Sequence, residues 1–257
     1  MKQRHLDIIE KQNQFAEKGD FNADIVPFNA SKALPVTEKH KYILTNIFSR
    51  FAAFCSRSMY MWACFIINTF YLRLRVKGRK NLRGLKGAIL TCNHVDNFDN
   101  TMVRQAVYRH RLYVTVGWFN NRNDGLGQFL RYCGTLPIPD PSAPKYTTVY
   151  RNFDKAVEYY LAKKCFILFY PEQSLWWRYE KPRPFKDGAF HFAAKNNVPV
   201  VPMYITWRKN KKRPTLHILP PIFPDDNLSR KENVEAMKNK NYNAVVELAE
   251  AQKPLSK

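Results

Sequence analysis

Two short polar clusters break up otherwise apolar text. One is Asn93-His94-Val95-Asp96-Asn97-Phe98-Asp99, and the other is Tyr170-Pro171-Glu172-Gln173-Ser174. His94 is one of six histidines, and an imidazole can take up and release a proton near neutral pH. Asp99 follows five residues later. If the chain turns from strand to helix between them, the carboxylate folds back onto the ring, fixes its tautomer and stabilises the imidazolium. No serine stands in a G-x-S-x-G elbow, and no cysteine stands in an activating setting. A base without a protein nucleophile calls for a substrate that brings its own, such as a hydroxyl. Two other readings use the same residues. Asp and Asn favour helix N-termini, so the spacing also suits a cap. His94, Asp96 and Asp99 also resemble part of a metal site, but no second histidine completes the usual ligand set, and no metal is expected.

Both clusters must sit at the ends of strands. AILTCN (88–93) reads as a buried strand ending at a polar turn, and CFILFYP (165–171) is a continuous apolar run that fits a central strand buried on both faces. LYVTVG (112–117), TLPI (135–138) and VPVVPMYITW (198–207) read as further strands, and HILPPI (217–222) as an edge strand because of its prolines. Helices are expected over 100–110, 125–133, 147–164, 185–197 and 228–252. In the third of these, Phe153, Val157, Tyr160 and Leu161 share a face. Strands alternating with helices predict an α/β fold with a largely parallel central sheet flanked by helices. In such sheets, sites lie beyond the carboxyl ends of the strands.

The segment ahead of this pattern has a different composition. Residues 1–40 are polar, with Pro27 and Pro35 expected to interrupt any long helix, and read as a weakly packed extension. Residues 41–72 form an apolar, aromatic helical element whose charges after Tyr42 are Arg50 and Arg57. Its uncharged part, 58–72, would span about 22 Å as a helix, short of the roughly 30 Å hydrocarbon core. Seven basic residues and no acid follow in 73–86. An apolar helix beside a basic run suits docking on an anionic bilayer, with a true span or a buried core helix as the alternatives. Residues 73–257 then form the α/β domain. The whole chain of 257 residues carries 42 Lys+Arg against 21 Asp+Glu, a net charge of +21, which implies an anionic partner. The sequence contains no nucleic-acid-binding motif, and its aromatics fall in apolar strands rather than on a basic face, so nucleic acid is not the expected partner. The five cysteines are odd in number and lack a C-x-x-C pair, as expected of reduced thiols in a cytosol-facing protein. The first residues lack the apolar region of a secretory signal.

Four ordered blocks resemble the glycerolipid acyltransferases typified by 1-acylglycerol-3-phosphate acyltransferase. Asn93, His94 and Asp99 match N-H-x-S-x-x-D. Gly134-Thr135-Leu136-Pro137-Ile138-Pro139-Asp140 matches a G-x-(apolar)3-D-R segment. Tyr170-Pro171-Glu172 matches the start of F-P-E-G-T-R, and Val198-Pro199-Val200-Val201-Pro202 matches a final proline-rich apolar run. The resemblance spans about residues 70–220. It implies acyl transfer from acyl-CoA or acyl-carrier protein to the hydroxyl of a lysophospholipid, with His94 as general base oriented by Asp99. The thioester is already activated, so neither ATP, metal nor another cofactor is implied. The residues expected to bind substrate are Asn93, Asp96, Gly134, Asp140, Pro171, Glu172, Gln173, Ser174 and Arg178. The partners implied are an anionic bilayer, a lysolipid acceptor and an acyl donor, and the implied location is the cytoplasmic face of the cell membrane, peripheral or monotopic.

The departures concern the acceptor. The family's serine is Asp96 here, the arginine after the second block's aspartate is Pro141, and the Gly and Arg of the third block are Gln173 and Leu175. In the family those arginines are associated with the acceptor phosphate, a job suited to a guanidinium fork. Arg178, Arg183 or Lys186 are the candidates to replace the charge. Otherwise the acceptor is a glycolipid or another hydroxylated lipid. Trp176 and Trp177 read either as packing or as contacts with that lipid. Glu172 reads either as an acceptor contact or as a structural bond to loop amides. The cluster Arg208, Lys209, Lys211, Lys212 and Arg213 reads as a solvated turn or an anion contact.

Overall fold

Apolar runs buried on both faces build the centre of the molecule. The computed structural model describes residues 3–25, 33–122, 124–207 and 213–252. In chain order the elements are α1 (Gln3–Glu17), α2 (Ile47–Ile66), β1 (Arg75–Lys77), β2 (Ala88–Cys92), α3 (Asp99–Ala106), β3 (Leu112–Val116), α4 (Gly125–Tyr132), β4 (Thr135–Pro137), α5 (Tyr146–Ala162), β5 (Phe166–Phe169), α6 (Gly188–Lys195), β6 (Val200–Trp207), β7 (Pro214–Ile218) and α7 (Arg230–Ala251). The seven-stranded sheet has the order β1-β7-β6-β2-β5-β3-β4. The five strands β6, β2, β5, β3 and β4 are parallel. β7 is antiparallel to β6, and β1 pairs parallel to β7.

Successive side chains of a strand point to opposite faces, and here both faces are covered. Ile89, Ile167, Phe169 and Val200 pack with Phe153, Phe192 and Met237 of α5, α6 and α7. Leu90, Cys92, Leu168 and Val201 pack on the other side with Met102, Val103 and Ala106 of α3. All five residues of β2 and all four of β5 are buried, as expected for central strands of a parallel sheet. The four positions expected to form the core face of α5 are all buried.

Two sequence expectations need correction, and one strand was not expected. HILPPI is not an edge strand. The strand is Pro214–Ile218, and it is covered on its outer side by β1. The prolines at 220 and 221 end it rather than mark an edge. β1 itself was not expected, because Arg75-Val76-Lys77 is a short, largely exposed edge with no apolar run. The first forty residues are not uniformly loose. Gln3–Glu17 is helical, since both prolines lie beyond it. Pro27 falls outside the described residues, as do residues 208–212, most of the second basic cluster.

α2 departs from the usual amphipathic arrangement. Arg57, Tyr60 and, just beyond the helix, Asn68 point inward, whereas Arg50 and Ser58 are exposed. The Arg57 Nε–H donates to the Tyr132 carbonyl (3.0 Å), and Asn100 Nδ2 donates to the Tyr60 hydroxyl (3.2 Å). One π-helical turn, Ile67–Tyr71, continues α2, and there Asn68 exchanges hydrogen bonds with Thr101 of α3. The outward face is largely apolar, with Phe48, Phe51, Phe54 and Trp62 exposed at 79%, 68%, 67% and 69%. No helix among the described residues is long and apolar enough to cross a membrane.

Candidate active site

β2 delivers the first polar cluster. Asn93 does not face a substrate. Its amide donates to the Ile205 carbonyl (3.0 Å) and accepts from the Ile205 N–H (2.8 Å), so the side chain continues the pairing with β6 after the β2 backbone has turned away. That turn leads into α3, whose first residue is Asp99. Asp99 Oδ2 accepts from the backbone N–H groups of Val95 (2.7 Å) and Asp96 (2.9 Å) and lies 2.9 Å from His94 Nδ1. The Asp99 side chain is 0% exposed, whereas that of His94 is 27% exposed.

This geometry sets the chemistry. Burial pushes the Asp99 carboxyl up, while the bond to His94 and the two amides pull it down. An ionised carboxylate accepts only, so its partner nitrogen Nδ1 carries the proton. The Nε2 lone pair is then free at the exposed side of the ring and can accept a proton from a bound hydroxyl. The ring is also fixed from behind by Tyr170, stacked at 4.2 Å between centroids. The loop after β5 is tied to the same turn, since Trp176 N–H donates to the His94 carbonyl (3.0 Å) and Arg178 N–H to the Val95 carbonyl (2.8 Å).

The expected substrate-binding residues separate into two groups. Only Asp96 and Arg178 stand beside His94 with polar atoms not fully engaged. Asp96 Oδ1 caps Phe98 N–H (3.1 Å), and burial raises its carboxyl. Arg178 is sandwiched between Trp177 and Trp207, with its guanidinium carbon 4.8 and 3.9 Å from their ring centroids. Its Nε lies 3.9 Å from Asp96 Oδ2 and has no hydrogen-bond partner among the described residues.

Most of the others are held by protein. Glu172 is buried and pairs with Arg183: Nη2 to Oε2 is 2.8 Å, and the Arg183 backbone N–H bonds Oε1 at 3.0 Å. Burial raises the Glu172 carboxyl, against the attraction of Arg183 and a hydrogen bond from the His94 backbone. Ser174 Oγ accepts from Arg183 Nη1 (3.1 Å). Arg183, being committed here, is not available to a substrate. The Pro171 carbonyl accepts from Lys186 N–H (2.9 Å), and Gln173 is exposed with a left-handed φ of 65° that closes the loop. Gly134 has φ +92°, and a Cβ there would meet Arg57, Leu112 and Tyr113 at 3.2 Å, so its glycine serves the turn into β4. Asp140 caps its own turn through Ser142 (2.9 and 2.8 Å). It follows β4, three strand spacings or about 14 Å from β2.

Trp176 is completely buried, donates to the Ala23 carbonyl (3.1 Å) and stacks near Phe21. It is a packing residue. Trp177 lies against His5 at 4.3 Å, and the Gln12 amide, oriented to satisfy both groups, pairs with the Trp177 backbone. The N-terminal segment is thus packed onto the loop that carries Arg178. Sequence reasoning missed Tyr170 as a support for the ring. Its signal was an aromatic residue directly ahead of Pro171.

Among the described residues no group of three or more His, Cys, Asp or Glu is placed to hold a metal ion, and the five cysteines are free thiols, with Cys55 exposed and the others buried.

The comparisons with known proteins bear on the family and the fold. No curated protein sequence matches the chain significantly. A solved structure, the 1-acyl-sn-glycerophosphate (LPA) acyltransferase PlsC from Thermotoga maritima, is similar in fold, with a TM-score of 0.50 at 20% identity over 82% of this chain and 89% of that one. The family model Acyltransferase matches residues 73–206, just over half of the chain and the stretch that holds both polar clusters. The chain therefore belongs to the Acyltransferase family, as its resemblance to the glycerolipid acyltransferases implied.

Proposed function

We propose that the protein transfers a fatty acyl group from acyl-CoA or acyl-carrier protein to the hydroxyl of a lysophospholipid, 1-acylglycerol-3-phosphate or a close relative. The observation that carries this reading is the 2.9 Å contact between His94 Nδ1 and a fully buried Asp99 at the end of a central strand. In this scheme His94 Nε2 takes the acceptor's hydroxyl proton as the oxygen attacks the thioester carbonyl. The C–S bond then breaks, and the departing thiolate receives that proton. A panel of lysolipid acceptors with either donor, read by lipid mass spectrometry, tests it. An acyl ester of a lysolipid is expected, and no ester with any acceptor would contradict the reading.

With Arg183 committed to Glu172, Arg178 is the guanidinium best supported as the acceptor's phosphate contact. Losing one charge-assisted contact is worth about 1.5–3 kcal/mol. Arg178→Gln should therefore raise KM for a phosphate-bearing acceptor roughly tenfold or more while changing kcat little. Asp96 favours a second reading. A carboxylate stands where the family has serine, 3.9 Å from Arg178, which suits a less anionic acceptor such as a glycolipid. Competition between lysophosphatidate and uncharged lysolipids in the same assay separates the two.

The apolar face of α2, with the basic run at 73–86 just beyond it, supports interfacial docking on an anionic bilayer, at the cytoplasmic face of the cell membrane. Removing three exposed aromatics, in Phe51→Ser/Phe54→Ser/Trp62→Ser, should weaken vesicle binding by at least about tenfold in a flotation assay. Unchanged flotation would show that α2 does not insert.

A further inference from the structure

A cavity of about 1040 Å³ lies at the other edge of the sheet from His94, between α2, the start of β3 and the end of α5. Six cations line it, Arg50, Arg57, Arg104, Arg109, Arg111 and Lys163, and no Asp or Glu is among its lining residues. Nothing in the acyl-transfer scheme uses it. Unneutralised cations in a concave, partly apolar site focus positive potential and draw anions.

Arg104 makes the case specific. It is 3% exposed, its Nε and Nη2 have no hydrogen-bond partner among the described residues, and its guanidinium carbon lies over the Tyr60 ring, 5.1 Å from the centroid. A buried guanidinium with unmade hydrogen bonds is costly unless an anion completes it. Guanidinium forks match phosphate oxygens. Ile47, Phe51 and Phe54, three of the exposed apolar residues of α2, also line the cavity. The cations inside and the apolar residues on α2 follow the division of a phospholipid into head and tails.

We propose that this cavity binds the headgroup of an anionic phospholipid, a phosphodiester whose acyl tails lie along the outer face of α2. The site is separate from His94 and does not rest on the acyl-transfer reading. Dioctanoyl phosphatidylglycerol, titrated below its micelle concentration onto the full chain in a calorimeter, tests it. The lipid should bind saturably and at least about tenfold tighter than dioctanoyl phosphatidylcholine. The combined change Arg109→Gln/Arg111→Gln/Lys163→Gln, all at exposed positions, should weaken binding at least about tenfold. A charge-matched change outside the cavity, Arg79→Gln/Lys80→Gln/Arg83→Gln, and Arg178→Gln beside His94 should not. Undiminished binding by the cavity variant would overturn the proposal, as would an equal loss in either control. Inorganic phosphate and glycerophosphoglycerol complete the test. If either binds as tightly as the lipid, the site takes a soluble phosphate ester and the lipid assignment fails.

Discussion

His94→Ala is expected to lower acyl transfer by about 10²–10⁴-fold, the range for losing a positioned general base, while the fold is kept. The ring is partly exposed, and its hydrogen-bond partner Asp99 stays anchored by the Val95 and Asp96 amides, so little packing is lost. Asp99→Asn should also slow transfer, for a different reason. An amide no longer holds the proton on Nδ1 by charge, so the ring can turn its protonated nitrogen toward the acceptor. Asp99→Asn also leaves two backbone donors sharing a neutral oxygen, so some stability is lost with activity. Initial rates at saturating donor and acceptor, alongside a thermal melt, check both. Full activity in His94→Ala would exclude His94 as the base.

The second large effect is on stability. Glu172→Gln removes the carboxylate that neutralises Arg183, a side chain 1% exposed. Breaking a buried pair from one side costs about 3–5 kcal/mol, because the remaining charge is uncompensated. A urea titration should show that loss as a lower midpoint with an unchanged slope. The double change Glu172→Gln/Arg183→Met should be less damaging than the single one, since no buried charge is left over. Activity should also fall in Glu172→Gln, because the loop this pair holds also bonds the His94 carbonyl through Trp176 N–H. A stability loss below about 1 kcal/mol would mean that the pair does not organise this loop.

Much of the site was legible in local text. The runs 88–93 and 165–171 are mostly apolar because both sheet faces are covered, and the polar residues that end them must emerge together at the carboxyl edge. The His94–Asp99 contact needs only a turn into a helix, and five residues are enough to make it. The partners were not legible. Glu172 and Arg183 are joined by a loop whose path no periodicity specifies, so Arg178, Arg183 and Lys186 looked equivalent as spare charges. Asn93 looked like a ligand group because a side chain that substitutes for β-strand backbone carries no sequence signal. The docking of the N-terminal segment on Trp176 and Trp177 spans about 150 residues of sequence, as in the bond from Trp176 to Ala23. The inward polar face of α2 was hidden for the same reason. Arg57, Tyr60 and Asn68 look out of place in an apolar helix until Tyr132, Asn100 and Thr101 are brought to them.

The central claim is that His94 activates a lipid hydroxyl directly and that no residue of the protein carries the acyl group. Rapid-quench intact-mass measurement of the wild-type protein during turnover, with ester and free thiol counted in the same samples, tests it most directly. The account predicts one ester and one thiol per transfer and an unmodified protein mass at every time point. A protein species heavier by one acyl group, formed and consumed at the rate of turnover, would contradict it.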